Sequence, residues 1–280
     1  MSNTNQVAMR VISRSASTSA TDAWRQVDPD RVAVSWTARL PLVVGALTVA
    51  QVGAAALAGP YVAQIAGQSG SHVLASAFGG VASDGRPLAS LLFQPAIAVL
   101  AALSRGAKPA SALAGGLAVL DMIVRTQVAD ANRLATGVAI TAHPDVIGHE
   151  RVVRTPACKR CIVLAGRVYR WSEGFKRHPR CDCTMQPVTR EQHRGKDLDN
   201  HPRALFDRMT VEQQDKNFGI VDAKAIRDGA DISQVVNSRK GMSTAAGSQP
   251  GLRPTPEQIY RTAGTRERAV ELLRKYGYIL

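Results

Sequence analysis

Long runs of small apolar residues with few charges fill the first half of the chain. They predict helices at 40–58, at 86–106 with an interruption at Pro95, and at 109–140. In the last of these segments, large apolar residues recur at steps of three and four, as on the core-facing stripe of an amphipathic helix. This stripe comprises Leu117, Leu120, Ile123, Val124, Val128 and Leu134.

Four charged residues of the 109–140 segment lie mainly off that stripe: Asp121, Arg125, Asp130 and Arg133. Side chains four residues apart are neighbours on a helix surface, and opposite charges at that spacing form ion pairs. We therefore expect these four side chains on a solvated face.

The segment 40–67 raises the question of a membrane, because no residue between Arg39 and Asp84 is charged. Its length is sufficient to span a bilayer. Its apolarity, however, comes from small residues, and Pro41 and Pro60 interrupt it. The pattern favours a buried helix or helix pair, with a membrane span as the alternative.

Local signals for helix starts are frequent after residue 200. Capping residues predict short helices that begin at Thr210 (with Gln213 completing a capping box), Asp222, Asp231 (with Gln234), Thr255 and Thr265. The Gly/Ser/Pro-rich stretch 243–254 predicts a linker.

These patterns predict an α+β fold that is mostly helical. The expected parts are a polar leader at 1–30, mobile at first and helical near "TDAWRQVD", an alanine-rich helical domain at 31–148, a basic Cys-cluster module with packed helices at 149–242, the linker at 243–254 and C-terminal helices at 255–280.

Composition adds a strong positive charge to this picture. The 280 residues carry a formal charge of +13 with a pI of about 10.2, and only 5% of them are aromatic. Segment 151–190 holds ten Lys or Arg residues and two acids, so ten minus two gives +8 of that total. Such a segment predicts contact with a polyanion, nucleic acid above all. The candidate contact residues are Lys159, Arg160, Arg167, Arg170, Lys176, Arg177 and Arg180.

All four cysteines of the chain lie in that basic segment, as Cys158-Lys-Arg-Cys161 and Cys181-Asp-Cys183. Zn²⁺ takes four sulfur or nitrogen ligands in a tetrahedron, and two such pairs could supply them. His178 could replace one cysteine of the second pair. We expect a structural zinc ion, while two disulfides and unliganded packed cysteines stay open as alternatives.

The residues between the two pairs suggest a small stapled module. "IVLAGRVYRW" predicts a hairpin of two short strands that turns at Ala165-Gly166. Its core would consist of Val168, Tyr169, Trp171 and Phe175, although Tyr169 and Trp171 could instead stack on exposed bases.

Motifs for catalysis or export are not apparent in the sequence. There is no P-loop, GxSxG, HExxH or GxGxxG pattern. The polar start predicts no signal peptide and hence a reducing cytoplasm. An enzyme is therefore possible but not indicated.

The block "CKRCIVLAGRVYRWSEGFKRHPRCDCTMQP", together with "VRTQVADANRLATGVAI", "AIRDGADISQVVNSRKGM" and "TPEQIYRTAG", resembles the minor capsid proteins of tailed bacteriophages that infect actinobacteria, within the broad phage Mu F-like head-morphogenesis group. The resemblance implies a head-assembly protein, made in the bacterial cytoplasm and held inside the capsid in few copies. Its implied partners are the portal, the capsid shell and packaged DNA.

Two other functions remain as alternatives to this assembly role. One is a capsid maturation protease or another head-associated enzyme, since some relatives are described as proteases. The other is a membrane-active protein of DNA ejection that uses the uncharged segment 40–67.

Overall fold

A computed structural model describes most of the chain. The described residues are 3–67, 73–175, 177–181, 183–191, 200–238 and 262–276. The predicted linker at 243–254, the helix start at Thr255 and the side chain of Lys176 lie outside these ranges.

The fold is mostly helical with one small antiparallel sheet, which confirms the predicted α+β class. Its contacts divide the chain into two units, one formed by Met1–Val152 and Val168–Gly195, the other by Val153–Arg167 and Lys196–Leu280. The basic Cys segment therefore contributes to both units, unlike the single module expected from sequence.

Within its described residues, the first unit contains six α-helices, a 3₁₀ turn and the sheet. They are α1 (Asn3–Trp24), α2 (Val32–Ala56), α3 (Ala58–Ala66), the 3₁₀ turn (Ala75–Phe78), α4 (Leu88–Leu92), α5 (Gln94–Leu103), α6 (Pro109–Ala142), β1 (Val146–Val152), β2 (Val168–Arg170) and β3 (Thr184–Thr189).

Helix α6 is the central element of this unit, and α1, α2, α3 and α5 pack against it. The leader expected to be mobile at its start is instead helical from Asn3 and lies on α6, because it buries small apolar residues such as Ala16 and Ala20. Two buried tryptophans fill core volume that the small alanine side chains leave open. Trp24 and Trp36 meet edge to face at 4.8 Å between ring centroids.

Gly116 on α6 lies where α1 and α5 come closest to it. A Cβ atom at this position would lie 2.5 Å from Val99 Cγ2 and would collide with the Trp24 ring. Glycine is therefore required here for close packing rather than for an unusual backbone angle.

Buried amides hold the helices in register with the connecting segments. Gln51 on α2 accepts a hydrogen bond from the Gly80 amide and donates to the Val81 carbonyl. Gln127 on α6 accepts from the Ser83 amide at 2.8 Å. These polar groups are buried and paired.

Two helical stretches of this unit, Val32–Ala66 and Pro109–Ala142, meet the length and hydropathy of a membrane span. In their most apolar windows 33% and 44% of the residues are buried. The core helices of soluble proteins meet the same criteria, so this finding does not decide between the two interpretations of segment 40–67.

The sheet has the strand order β2-β1-β3, with both pairs antiparallel. The hairpin predicted to turn at Ala165-Gly166 is not formed. The residues before this turn belong to the short helix Lys159–Ile162 and the turn after it, and β2 pairs with the earlier strand β1. Gly148 on β1 is needed there, because a Cβ atom would collide with the Tyr169 carbonyl oxygen.

The second unit consists of short helices: α7 (Lys159–Ile162), α8 (Pro202–Asp207), α9 (Val211–Phe218), α10 (Ile220–Arg227), α11 (Ile232–Ser238) and α12 (Arg266–Lys275). Phe206 and Phe218 meet edge to face at 5.2 Å in its core.

Three of the predicted caps are confirmed in this unit. Thr210 and Gln213 form the full capping box, Asp231 accepts from the Gln234 amide, and Thr265 accepts from the Arg268 amide. The cap predicted at Asp222 is wrong. Asp222 lies buried inside α10, whose N-cap is Gly219.

Gly116→Ala is expected to destabilise the protein by about 1–3 kcal/mol, because the new methyl group overpacks the helix crossing. Gly115→Ala is the matched control, since Gly115 is exposed and a Cβ there meets nothing within 4 Å. That control should be neutral or stabilising by up to about 1 kcal/mol. Chemical unfolding followed by circular dichroism measures both values, and equal effects would contradict the close approach at Gly116.

Candidate metal centre

The first cysteine pair is presented by one helical turn. Cys158 is the N-cap of α7, and its carbonyl accepts hydrogen bonds from the amides of Cys161 and Ile162. Three residues span about one turn, so both sulfur atoms leave the same side of the helix. Cys161 is buried, and Cys158 is partly exposed.

The second pair follows a tight turn that starts at His178. The Cys181 amide donates to the His178 carbonyl at 3.1 Å, and Arg180 has the unusual φ of 64°. The chain then runs into β3 at Thr184. Cys181 and Cys183 are both buried and are two residues apart.

Arg180 fixes this turn to α6. Its amide donates to Thr126 Oγ1 at 2.9 Å, its guanidinium donates to the Ala118 carbonyl, and it lies 3.4 Å from the Asp121 carboxylate. Burial alone would raise the pKa of Asp121, but hydrogen bonds from Ser17 and Arg125 and the charge of Arg180 lower it on balance. The carboxylate therefore stays ionised and keeps the turn in place.

The potential ligand atoms come together in two overlapping groups. Cys158, Cys161 and His178 form one group, and Cys161, Cys181 and Cys183 form the other. Within each group the ligand atoms lie within 4.8 Å of one another, and Cys161 belongs to both. The structure records the four cysteines as thiols, and the disulfide alternative stays open.

This donor set fits a metal ion. Tetrahedral zinc with bonds of about 2.3 Å places its sulfur ligands roughly 3.8 Å apart, so only small movements would be needed. The cluster of Cys158, Cys161, Cys181, Cys183 and His178 could hold a metal ion.

The hydrogen bond of His178 determines which nitrogen faces a metal. Its Nδ1 lies 2.7 Å from the Pro179 carbonyl oxygen. A carbonyl accepts only, so Nδ1 carries the proton and the lone pair is on Nε2. This is the usual arrangement of a metal-binding histidine.

Arg151 on β1 is buried beside the second cysteine pair. Its Nη2 lies 3.7 Å from both Cys181 Sγ and Cys183 Sγ, and its guanidinium lies 4.4 Å from the centre of the Phe175 ring. A buried cation needs compensating charge. Deprotonated cysteines would provide that charge, and the thiolate is the form that binds metals.

A second buried arginine holds the backbone of the same pair. Arg133 Nη1 donates to the carbonyls of Cys181 and Cys183 at 2.9 Å each, and Nη2 donates to Asp130. Asp130 also pairs with Arg177. The expectation of a solvated face is therefore wrong for Asp130 and Arg133, while Asp121 and Arg125 form the expected pair at 2.6 Å.

Sequence reasoning placed Arg133 on a solvated face and treated Arg151 only as part of the overall charge. An indication for Arg133 was its spacing from Asp130 in the apolar α6. The indication for Arg151 was weaker: Val152 and Val153 follow it, at the end of a strand that the sequence did not predict.

The basic residues predicted to bind a polyanion have different surroundings. Lys159 lies 3.9 Å from Asp222, and Arg177 and Arg180 pair with acids on α6. Five of the predicted residues are exposed: Arg160, Arg167, Arg170, Arg177 and Arg180. Polyanion binding by these residues stays a prediction.

The small core proposed for this segment is only partly present. Phe175 is buried and Tyr169 is half-buried, but Val168 and Trp171 are 43% and 52% exposed. Val168 and Trp171 are not core residues, because β2 is an edge strand with only β1 beside it.

No protein-family model matches the chain, and comparison with curated proteins and with solved structures gives no match either. The resemblance to the Mu F-like group stays a prediction, and function has to be inferred from the site.

Proposed function

We propose that this chain is a structural assembly protein of a tailed-bacteriophage head, with zinc in its cysteine cluster and a basic surface that contacts packaged DNA or the portal and capsid shell. The observation that carries the structural part is the convergence of four cysteines and His178 on overlapping ligand groups. The assignment to a phage head rests on the sequence resemblance. The proposed location of the protein is the capsid interior.

The donor set favours a structural over a catalytic ion. Catalytic zinc keeps a coordination position open for water or substrate, whereas structural zinc is closed by four protein ligands. Five potential donors surround this site, and three of the cysteines are buried. Zinc here would have a structural role rather than carry out a reaction.

Zinc suits this environment better than harder cations do. Thiolate-rich sites favour zinc over magnesium or calcium, which prefer oxygen ligands. The buried guanidinium of Arg151 also offsets the negative charge that four thiolates around one divalent ion would leave.

A nucleic-acid contact would be electrostatic and independent of sequence. Exposed arginines near phosphates release counterions, so the affinity falls steeply with salt. Arg160, Arg167 and Arg170 are exposed candidates for this contact, and the likewise exposed Arg177 and Arg180 pair with acids on α6.

Protein purified without added metal is expected to contain about one zinc ion per chain by elemental analysis, since the site offers enough soft ligands for one. Cys161→Ser should lose the ion, because Cys161 belongs to both ligand groups. His201→Asn, which removes a histidine outside the cluster, should retain it. Zinc well below one per chain in the wild type, with all four thiols reactive, would contradict the assignment.

In the same assay Arg151→Met should weaken zinc binding roughly ten- to hundredfold, as losses of outer-sphere hydrogen bonds do. Arg170→Met on the exposed strand β2 is the control and should leave the affinity unchanged. Competition with a chromogenic chelator measures both.

Binding to unrelated duplex DNA is expected to weaken with salt. Arg160→Gln, Arg167→Gln and Arg170→Gln together should make the slope of log affinity against log salt shallower by roughly 2 to 3, if all three contact phosphates. Arg25→Gln, Arg31→Gln and Arg105→Gln remove the same charge from exposed positions on the helical unit. Equal slopes for the two triple variants would place the DNA surface elsewhere.

The assembly role itself is tested on particles. Mass spectrometry of virions purified from the host lysate should find this chain in few copies per head, protected from protease until the heads are opened. Its absence from both proheads and virions would refute the proposal.

A further inference from the structure

A cavity of about 570 Å³ lies in the first unit between α6 and the sheet. This volume is within the range of small-molecule sites. Its lining includes Asp130, His149, Trp171, Glu173, Phe175 and Arg177. The proposed head-assembly role does not use this cavity.

His149 lines this cavity and is a buried polar group to which the described residues offer no hydrogen bond. It is 1% exposed, and neither ring nitrogen has a hydrogen-bond partner among the described residues. Its ring stacks on Tyr169 at 5.4 Å and an interplanar angle of 13°, with Phe175 at 6.1 Å. Leaving such a group unpaired is costly, so a hydrogen-bonding ligand would stabilise it.

The imidazole of His149 is neutral near pH 7. Burial lowers its pKa to about 4, although the nearby carboxylate of Glu173 acts in the opposite direction. A neutral imidazole offers one N–H donor and one nitrogen acceptor. His149 therefore carries one donor and one acceptor, and both nitrogens are buried in the cavity wall.

The charges in the wall compensate one another. Asp130 is paired with Arg133 and Arg177, and Arg133 also donates to two backbone carbonyls. With Glu173 added, the wall contains two acids and two bases. A phosphate or carboxylate inside the cavity would have to break these pairs, so the wall fits an uncharged ligand.

The rest of the lining is apolar and partly aromatic. Trp171, Leu134 and Val138 line the cavity, although they are 52%, 52% and 49% exposed. Leu134 was predicted to face the core. It is exposed instead, because it lines this cavity. A flat ligand would cover this apolar surface, and the Trp171 indole offers a stacking partner.

We propose that this cavity binds a neutral planar heterocycle of the nucleobase type, stacked on Trp171 and hydrogen-bonded to His149. The two imidazole nitrogens point in divergent directions, so one of them would pair with a donor or an acceptor on the base edge once the ring turns toward the cavity. A carbohydrate would also stack on tryptophan, but its many hydroxyl groups would need more polar partners than the wall supplies. The base could belong to a free nucleoside or to single-stranded nucleic acid.

The test titrates the zinc-loaded full chain with adenosine and cytidine, and with single-stranded octanucleotides of dA or dC. Binding is followed by Trp171 fluorescence and by the ¹⁵N shifts of the His149 ring. Trp24 and Trp36 are buried, which leaves Trp171 as the exposed indole of the chain. Saturable binding of nucleosides would show that a free nucleoside is enough for binding. Saturable binding of the oligonucleotides alone would show that the ligand is single-stranded nucleic acid. Both outcomes support the proposal.

Two variants probe the two contacts separately. Trp171→Ala should weaken binding roughly ten- to hundredfold, as loss of one stacked base does, whereas Trp171→Phe should retain most of the affinity. His149→Phe keeps a ring against Tyr169 and removes both nitrogens, so it should also weaken binding. If His149→Phe does not fold, the two variants at the exposed Trp171, Trp171→Ala and Trp171→Phe, still test the proposal.

The controls separate this proposal from the head-assembly role. An octanucleotide of abasic residues has the phosphates without the bases and should not shift the His149 signals. The triple variant at Arg160, Arg167 and Arg170 should leave nucleoside affinity unchanged. If neither nucleosides nor oligonucleotides perturb His149, or if the abasic strand binds equally well, the cavity is not a base-binding site.

Discussion

Two buried guanidinium groups determine how the cysteine segment is held in the first unit. Arg133 binds the backbone carbonyls of Cys181 and Cys183, and Arg151 lies 3.7 Å from the two sulfur atoms. A buried cation without partners would cost several kcal/mol, so each arginine requires its partners as much as they require it. The turn that carries Cys181 and Cys183 is thereby fixed to α6 and β1.

The helical framework that supports these arginines has little aromatic mass. With 5% aromatic residues, it depends on close approach of small side chains, as at Gly116, and on two tryptophans that fill the widest gap. Buried amides such as Gln51 and Gln127 fix the connecting segments through paired hydrogen bonds. Close packing in turn fixes α6, and with it the position of Arg133.

Features set by neighbouring residues could be predicted from the sequence, and features set by distant contacts could not. The capping box at Thr210 and the stripe of α6 follow from local spacing. Strand β1 reads "VIGHERV" and lacks the alternation of a half-buried strand, because His149 and Arg151 occupy inward positions. Their burial depends on partners roughly twenty to thirty residues away. The cysteine cluster was found because ligand type and spacing are themselves local, whereas the supporting arginines were missed.

The metal-binding turn and the cavity share part of their structure. Arg133 donates both to the carbonyls of Cys181 and Cys183 and to Asp130, and Arg133 and Asp130 also line the cavity. Phe175 likewise contacts both Arg151 and His149. Because buried polar networks are costly when only partly satisfied, a shift of the turn would change the cavity wall. The cluster and the cavity therefore depend on the same buried ion pair, which gives the charged residues of α6 a structural role that their amphipathic pattern does not indicate.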